Sequence, residues 1–193
     1  NQRLTVDFGL RTALLAHKNA VVPYIGTVSF LRQMTWSLAA IYLCTEYKDE
    51  ATRHKLHVSA TSVANAIEAL ACKAKYNPEL RDFEYRGSRA FGREWNDGFF
   101  YRKNVWTFDW LSRTKNYVQN TYRQSASAAI YDLNLTEASS RYNSMRLTNE
   151  GRSIALEFLQ QNVFGKNVIS YLYSWVRKPN GLPLSIDNWR KFA

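Results

Sequence analysis

The chain has 193 residues, of which 46% are hydrophobic and 15% aromatic, enough apolar side chain to build a core in one domain and too much for a disordered segment. Eight Gly and four Pro are too few for a turn-dense all-β sandwich or barrel, so a mainly α fold is expected. Twenty-six Lys and Arg against sixteen Asp and Glu leave a formal net charge of +10, a balance that favours encounter with phosphate backbones or other acidic surfaces.

Leu10 to Val22 reads as a short helix broken by Pro23 and Gly26. From Thr27, the apolar residues Val28, Leu31, Met34, Leu38, Ile41 and Tyr42 recur three or four apart, the stripe of an amphipathic helix. Phe30, Trp36 and Ala39 widen that stripe, so this helix is expected to pack on more than one side. The charged stretch from Glu46 to Lys55 reads as a solvated connection. Ser59 suits the N-cap of the next helix, with Val58 and Val63 placed as a hydrophobic staple. Val63, Ile67, Leu70 and Ala74 then keep helical spacing until Asn77-Pro78.

Residues 79–110 show neither a strand nor a helix period and read as an aromatic-rich ordered connection. Further helices are expected over Leu111 to Tyr122, Gln124 to Leu133, Thr148 to Gly165 and Val168 to Val176, with a strand over Ser144 to Leu147. In the last helix, Val168, Ile169, Leu172, Tyr173, Trp175 and Val176 form the apolar face. The chain thus divides into an N-terminal helical region (1–78), the aromatic connection (79–110), a third region (111–178) and a C-terminal tail (179–193).

Cys44 and Cys72 each stand in an apolar, helix-like stretch, the setting of buried thiols in a reducing compartment rather than of a disulfide framework. The longest apolar stretch, Met34 to Cys44, contains Thr35 and Ser37 and falls short of the roughly 20 residues of a membrane span. No basic-apolar-small signal opens the sequence as read. A cytoplasmic protein without membrane association is therefore expected.

Metal and catalytic motifs are sparse. Glu50, His54 and His57 would share one helix face, but a zinc site needs three or four ligands and His17 is distant, so no metal and no cofactor is expected. Glu46-Tyr47-Lys48 is the nearest approach to a nuclease-type acid-x-Lys element, with Asp7 far upstream; it follows a strong helix where that chemistry wants a strand. Phosphate-loop, dinucleotide-binding and serine-hydrolase motifs do not occur. A nuclease or other enzyme resting on unmarked carboxylates such as Glu84 and Glu94 is the third function considered.

Aromatic and basic residues alternate through 81–110, which would suit stacking on single-stranded bases. Six basic residues there meet five acids, however: Asp82, Glu84, Glu94, Asp97 and Asp109. Core and interface aromatics are the better account. Trp95, Phe99, Tyr101 and Trp106 are accordingly the candidate contacts of a protein partner, or of a second copy, in an alternative reading as an interaction or scaffold subunit.

Between Leu111 and Ile130 the charged residues are Arg113, Lys115 and Arg123, with no acid. The segment Tyr122-Arg123-Gln124-Ser125-Ala126-Ser127-Ala128-Ala129-Ile130-Tyr131-Asp132-Leu133 is followed by Arg141-Tyr142-Asn143-Ser144-Met145-Arg146-Leu147-Thr148-Asn149-Glu150-Gly151-Arg152. Over residues 111–160 this resembles the end of a winged-helix (winged helix-turn-helix) domain, in which a wing strand runs into a Leu-Thr-x-Glu-Gly-Arg helix start. Thr148 would cap that helix and Glu150 would lie near its positive end. The resemblance implies a helical bundle with a C-terminal winged-helix-like module and a small β wing. It also implies that the helix before the wing enters the major groove. Arg123, Gln124, Ser125 and Ser127 would then stand at the groove-facing helix start, and Lys115, Arg141, Arg146 and Arg152 would neutralise phosphates. The expected function is DNA binding, without chemistry of its own, within a larger bacterial or phage-related assembly associated with defence or mobile elements.

Overall fold

The computed structural model describes residues 10–21, 32–48, 54–74, 76–77, 82–83, 106–113, 121–137, 141–163 and 166–178. Helix α1 is Leu10–Val21 and α2 is Arg32–Thr45. Between Arg32 and Glu46 the sequence carries no charge, and Met34, Trp36, Ser37, Leu38, Ala39, Ala40, Ile41 and Leu43 are all buried. Such a helix is apolar all round and belongs in the centre of a bundle. It packs against α3 (Ala60–Ala74) and against two helices of the C-terminal half.

Every residue of α3 from Val63 to Cys72 is buried. The spacing of Val63, Ile67 and Leu70 marks only one face. Burial extends round the helix because Ala60, Ala64, Ala66, Ala69 and Ala71 let neighbours approach from the other sides. The expected Ser59 cap is present: Ser62 N donates to Ser59 Oγ at 3.1 Å, and the Val63 N–H donates to the Ser59 carbonyl. Beyond α3, two two-residue strands, β1 (Tyr76–Asn77) and β2 (Asp82–Phe83), pair antiparallel with Tyr76 opposite Phe83.

The C-terminal half begins with a one-turn helix, α4 (Phe108–Leu111), capped by Thr107; it ends at Leu111, where a helix to Tyr122 is expected from sequence, and residues 114–120 of that span lie outside the described residues. Helix α5 is Tyr122–Asp132, α6 is Asn149–Leu159 and α7 is Val168–Arg177. Helix α6 stops at Leu159, before the expected Gly165, and the antiparallel strands β3 (Asn162–Val163) and β4 (Lys166–Asn167) lead into α7. All six residues of the apolar face expected for α7 are buried. Trp175 meets Phe108 edge to face at 5.6 Å, and Tyr173 meets Tyr47 likewise at 5.2 Å.

One cluster of buried side chains runs from Met34 to Val176, so helices of the 1–78 and 111–178 regions share a core. The described part is predominantly helical, and none of its helices is long and apolar enough to cross a membrane. A strand over Ser144 to Leu147 does not form. Tyr142–Ser144 is a 3₁₀ turn, because Tyr142 is drawn into the core, where its hydroxyl donates to the Ser37 carbonyl of α2 at 2.6 Å. Extended pairing is left to one antiparallel bridge between Thr136 and Leu147.

Candidate nucleic-acid interface

Helix α5 is closed tightly at both ends. At its start, Gln124 N donates to the Thr121 carbonyl and the Gln124 Oε1 accepts from Thr121 N at 2.9 Å. The next amide, Tyr122 N, donates to both carboxylate oxygens of the buried Glu68 from α3, at 3.0 and 2.9 Å. A carboxylate beside the positive end of a helix is favourably placed. Here the anion is supplied from within the fold, so the start of α5 is already occupied where a phosphate would otherwise sit.

At its other end the chain reverses through a Schellman turn. Leu135 N donates to the Ile130 carbonyl at 3.0 Å and Asn134 N to the Tyr131 carbonyl at 2.8 Å, with Asn134 at φ 56°. The reversal sets Leu135 and Thr136 antiparallel to Leu147 and Thr148: Glu137 N donates to the Arg146 carbonyl, and Thr148 N to the Leu135 carbonyl. Thr148 Oγ1 donates to the Asn134 carbonyl and accepts from Gly151 N, as the expected cap of α6. A helix, a reversal, a short antiparallel pairing and a capped helix thus follow one another over residues 122–159.

The site residues expected from sequence fall into three groups. Arg141, Arg146 and Arg152 are exposed around the antiparallel connection. Among the described residues the guanidinium groups of Arg141 and Arg146 meet no acceptor, whereas Arg152 Nε donates to Glu46 Oε2 at 2.6 Å. That bond and the Glu46 charge push the Arg152 pKa up from its ordinary value. Arg123 and Ser127 turn inward. Arg123 lies over the Tyr142 ring at 5.1 Å, its Nε is buried without a hydrogen-bond partner among the described residues, and Ser127 Oγ donates to the Arg123 carbonyl. Gln124 is exposed, but its Oε1 is committed to the helix start. A bidentate contact to adenine needs both ends of that amide, so it would require the cap to open. Ser125 stands in α5, and Lys115 lies outside the described residues.

Among the candidate docking aromatics, Trp106 is 3% exposed and belongs to the core, while Trp95, Phe99 and Tyr101 lie outside the described residues. Glu46-Tyr47-Lys48 follows the end of α2 and forms no strand, with Glu46 bound to Arg152; Asp7 is outside the described residues. His54 and His57 are exposed in a non-helical stretch, so they do not share a helix face.

Sequence reasoning gave no structural role to Glu68, Asn134, Asn143 or Gly151, although the last two stand in the segment that carries the winged-helix resemblance. Asn143 Oδ1 accepts from both Thr61 N and Thr61 Oγ1, tying the 3₁₀ turn to the first turn of α3. Gly151 packs so closely on Leu135 that an added Cβ would fall 2.1 Å from the Leu135 carbonyl oxygen. A legible signal existed for Glu68, the lone acid of α3, set between Ile67 and Ala69. Compared with protein-family models, curated proteins and solved structures, the chain matches none of them.

Proposed function

We propose that the chain binds double-stranded DNA through a reduced winged-helix-like module over residues 111–160, as a non-catalytic component of a larger bacterial or phage-related assembly. The observation that carries this reading is the succession of α5, Schellman reversal, Thr136–Leu147 bridge and Thr148-capped α6 among the described residues. Exposed Arg141 and Arg146 precede Leu147 of that bridge and meet no acceptor among the described residues. The formal net charge of +10 supplies long-range attraction to a phosphate backbone.

The commitments of Gln124, Arg123 and the start of α5 favour contacts to backbone over base reading, so binding should tolerate sequence change. Fluorescence anisotropy of a labelled duplex, titrated over a range of salt concentrations, tests this. Arg146→Ala should weaken binding to unrelated sequences about equally and lower the log–log salt slope by about 1. An unchanged affinity and slope would remove the connection from the interface. No binding at low salt would remove the DNA reading.

A further inference from the structure

Beside the bridge, Thr45, Glu46, Glu137, Arg146, Leu147 and Arg152 line an open cleft of about 510 Å³ between the end of α2 and the first turns of α6. Two of these lining residues are arginines. Arg146 has no acceptor among the described residues. Arg152 is held through Nε by Glu46, and its two Nη atoms meet no acceptor among the described residues. The pair is open to water, with the Arg152 and Glu46 side chains 46% and 24% exposed. Glu46 comes directly after the last residue of α2, where the helix presents its negative end and a carboxylate is poorly placed on its own. The guanidinium of Arg152 offsets that placement.

We infer that this cleft is a phosphate-group site in which Arg146 is the standing cation and Glu46 occupies the position on Arg152 that a phosphate oxygen would take. Guanidinium forks bind carboxylate and phosphate by the same planar hydrogen bonding, so one anion can replace the other. A half-exposed ion pair contributes little net stability, so the exchange is within reach of an incoming phosphate. The phosphate can be free or part of a nucleic-acid backbone. Only the second source rests on the DNA-binding reading.

The experiment is a titration of the full chain, isotopically labelled at arginine, with the side-chain Nε–H resonances followed by NMR. Inorganic phosphate and a short DNA duplex serve as separate probes at matched ionic strength, with chloride as reference. The expected result is that the Arg146 and Arg152 resonances shift with the duplex and saturate. Glu46→Gln should then raise the affinity about two- to fivefold, because the internal competitor has lost its charge. Glu137→Gln, which neutralises the other carboxylate of the cleft, should act in the same direction and serves if Glu46→Gln does not fold.

Shifts with inorganic phosphate, in a chain that leaves the duplex unbound, would keep the site and overturn the DNA reading. A duplex that binds by anisotropy without moving either arginine resonance would overturn the site and leave DNA binding standing. Unchanged or weakened binding in both folded Gln variants would overturn the role given to the carboxylates.

Discussion

Gly151 sets two effects of opposite sign against each other. It lies in the first turn of α6, where replacing Gly by Ala gains about 1 kcal/mol of intrinsic helix propensity. The added Cβ, however, would stand 2.1 Å from the Leu135 carbonyl oxygen, which is backbone and itself accepts from Thr148 N. Relief would require the α6 start and the bridge strand to separate. Overpacking of that kind costs about 1–3 kcal/mol, so Gly151→Ala is expected to destabilise the protein in urea unfolding. A gain in stability would show that the close approach is not as described. Asn134 is the other demanding residue, because φ 56° is tolerated by Gly and Asn and resisted by most side chains. Asn134→Ala should lose about 1 kcal/mol, and Asn134→Gly should match or exceed the original chain in the same measurement. Equal stability of the two variants would argue against the left-handed turn.

At the scale of elements, α3 and α5 are each fastened at their starts by side chains from elsewhere in the chain. The first turn of α3 bonds within itself through Ser59 and Ser62, and across the fold to Asn143. The Asn143 contact fixes the 3₁₀ turn against α3 and thereby positions Arg141 and Arg146 on either side of that turn. Asn143→Ala should cost about 1 kcal/mol, the usual price of a lost helix cap, measured as a shift of the urea midpoint. It should also weaken duplex binding without altering the helical signal. Unaltered stability would mean that water replaces the cap. Helix α5 depends on Glu68 in the same way, and the buried carboxylate links α3 and α5 where α2 also packs. The local caps at Ser59 and Thr148 were legible because Ser or Thr directly before an apolar period is a local signal. Asn143 and Glu68 act over 82 and 54 residues of separation, and no spacing rule reaches that far.

For the molecule as a whole, burial of groups that ionise at high pH sets an alkaline limit. Burial pushes the Cys44 thiol from 9.0 up to about 12. It also raises Tyr142 well above the usual phenol range, with the Arg123 charge acting the other way. The unfolded chain therefore releases these protons at lower pH than the folded one. Their contribution to stability is complete below the unfolded values and is lost as pH rises through the folded values. Stability measured by urea unfolding should hold steady to about pH 8.5 and then fall between 9.0 and about 12. Cys44→Ala should flatten the first part of that fall. A stability that rises with pH in this window would contradict the burial of Tyr142 and the partial burial of Cys44.

Local pattern alone determined the mainly helical class, most helix positions, the Ser59 and Thr148 caps and the buried face of α7. Each of these depends on side chains a few residues apart, and the periods of helix and cap are written at that range. The candidate site was legible only as a set of basic residues ahead of and within a Leu-Thr-x-Glu-Gly-Arg helix start. Tertiary structure decided which of them are available. Arg123 is taken into a contact with Tyr142 and Arg152 is held by Glu46, while Arg146 meets no acceptor among the described residues. The strand expected over Ser144 to Leu147 does not form, because the core claims Tyr142 and turns the chain inward, and Leu147 makes a single bridge to Thr136. The partners of Arg152 and Tyr142 lie 106 and 105 residues away in sequence, and packing around α2 brings each pair together.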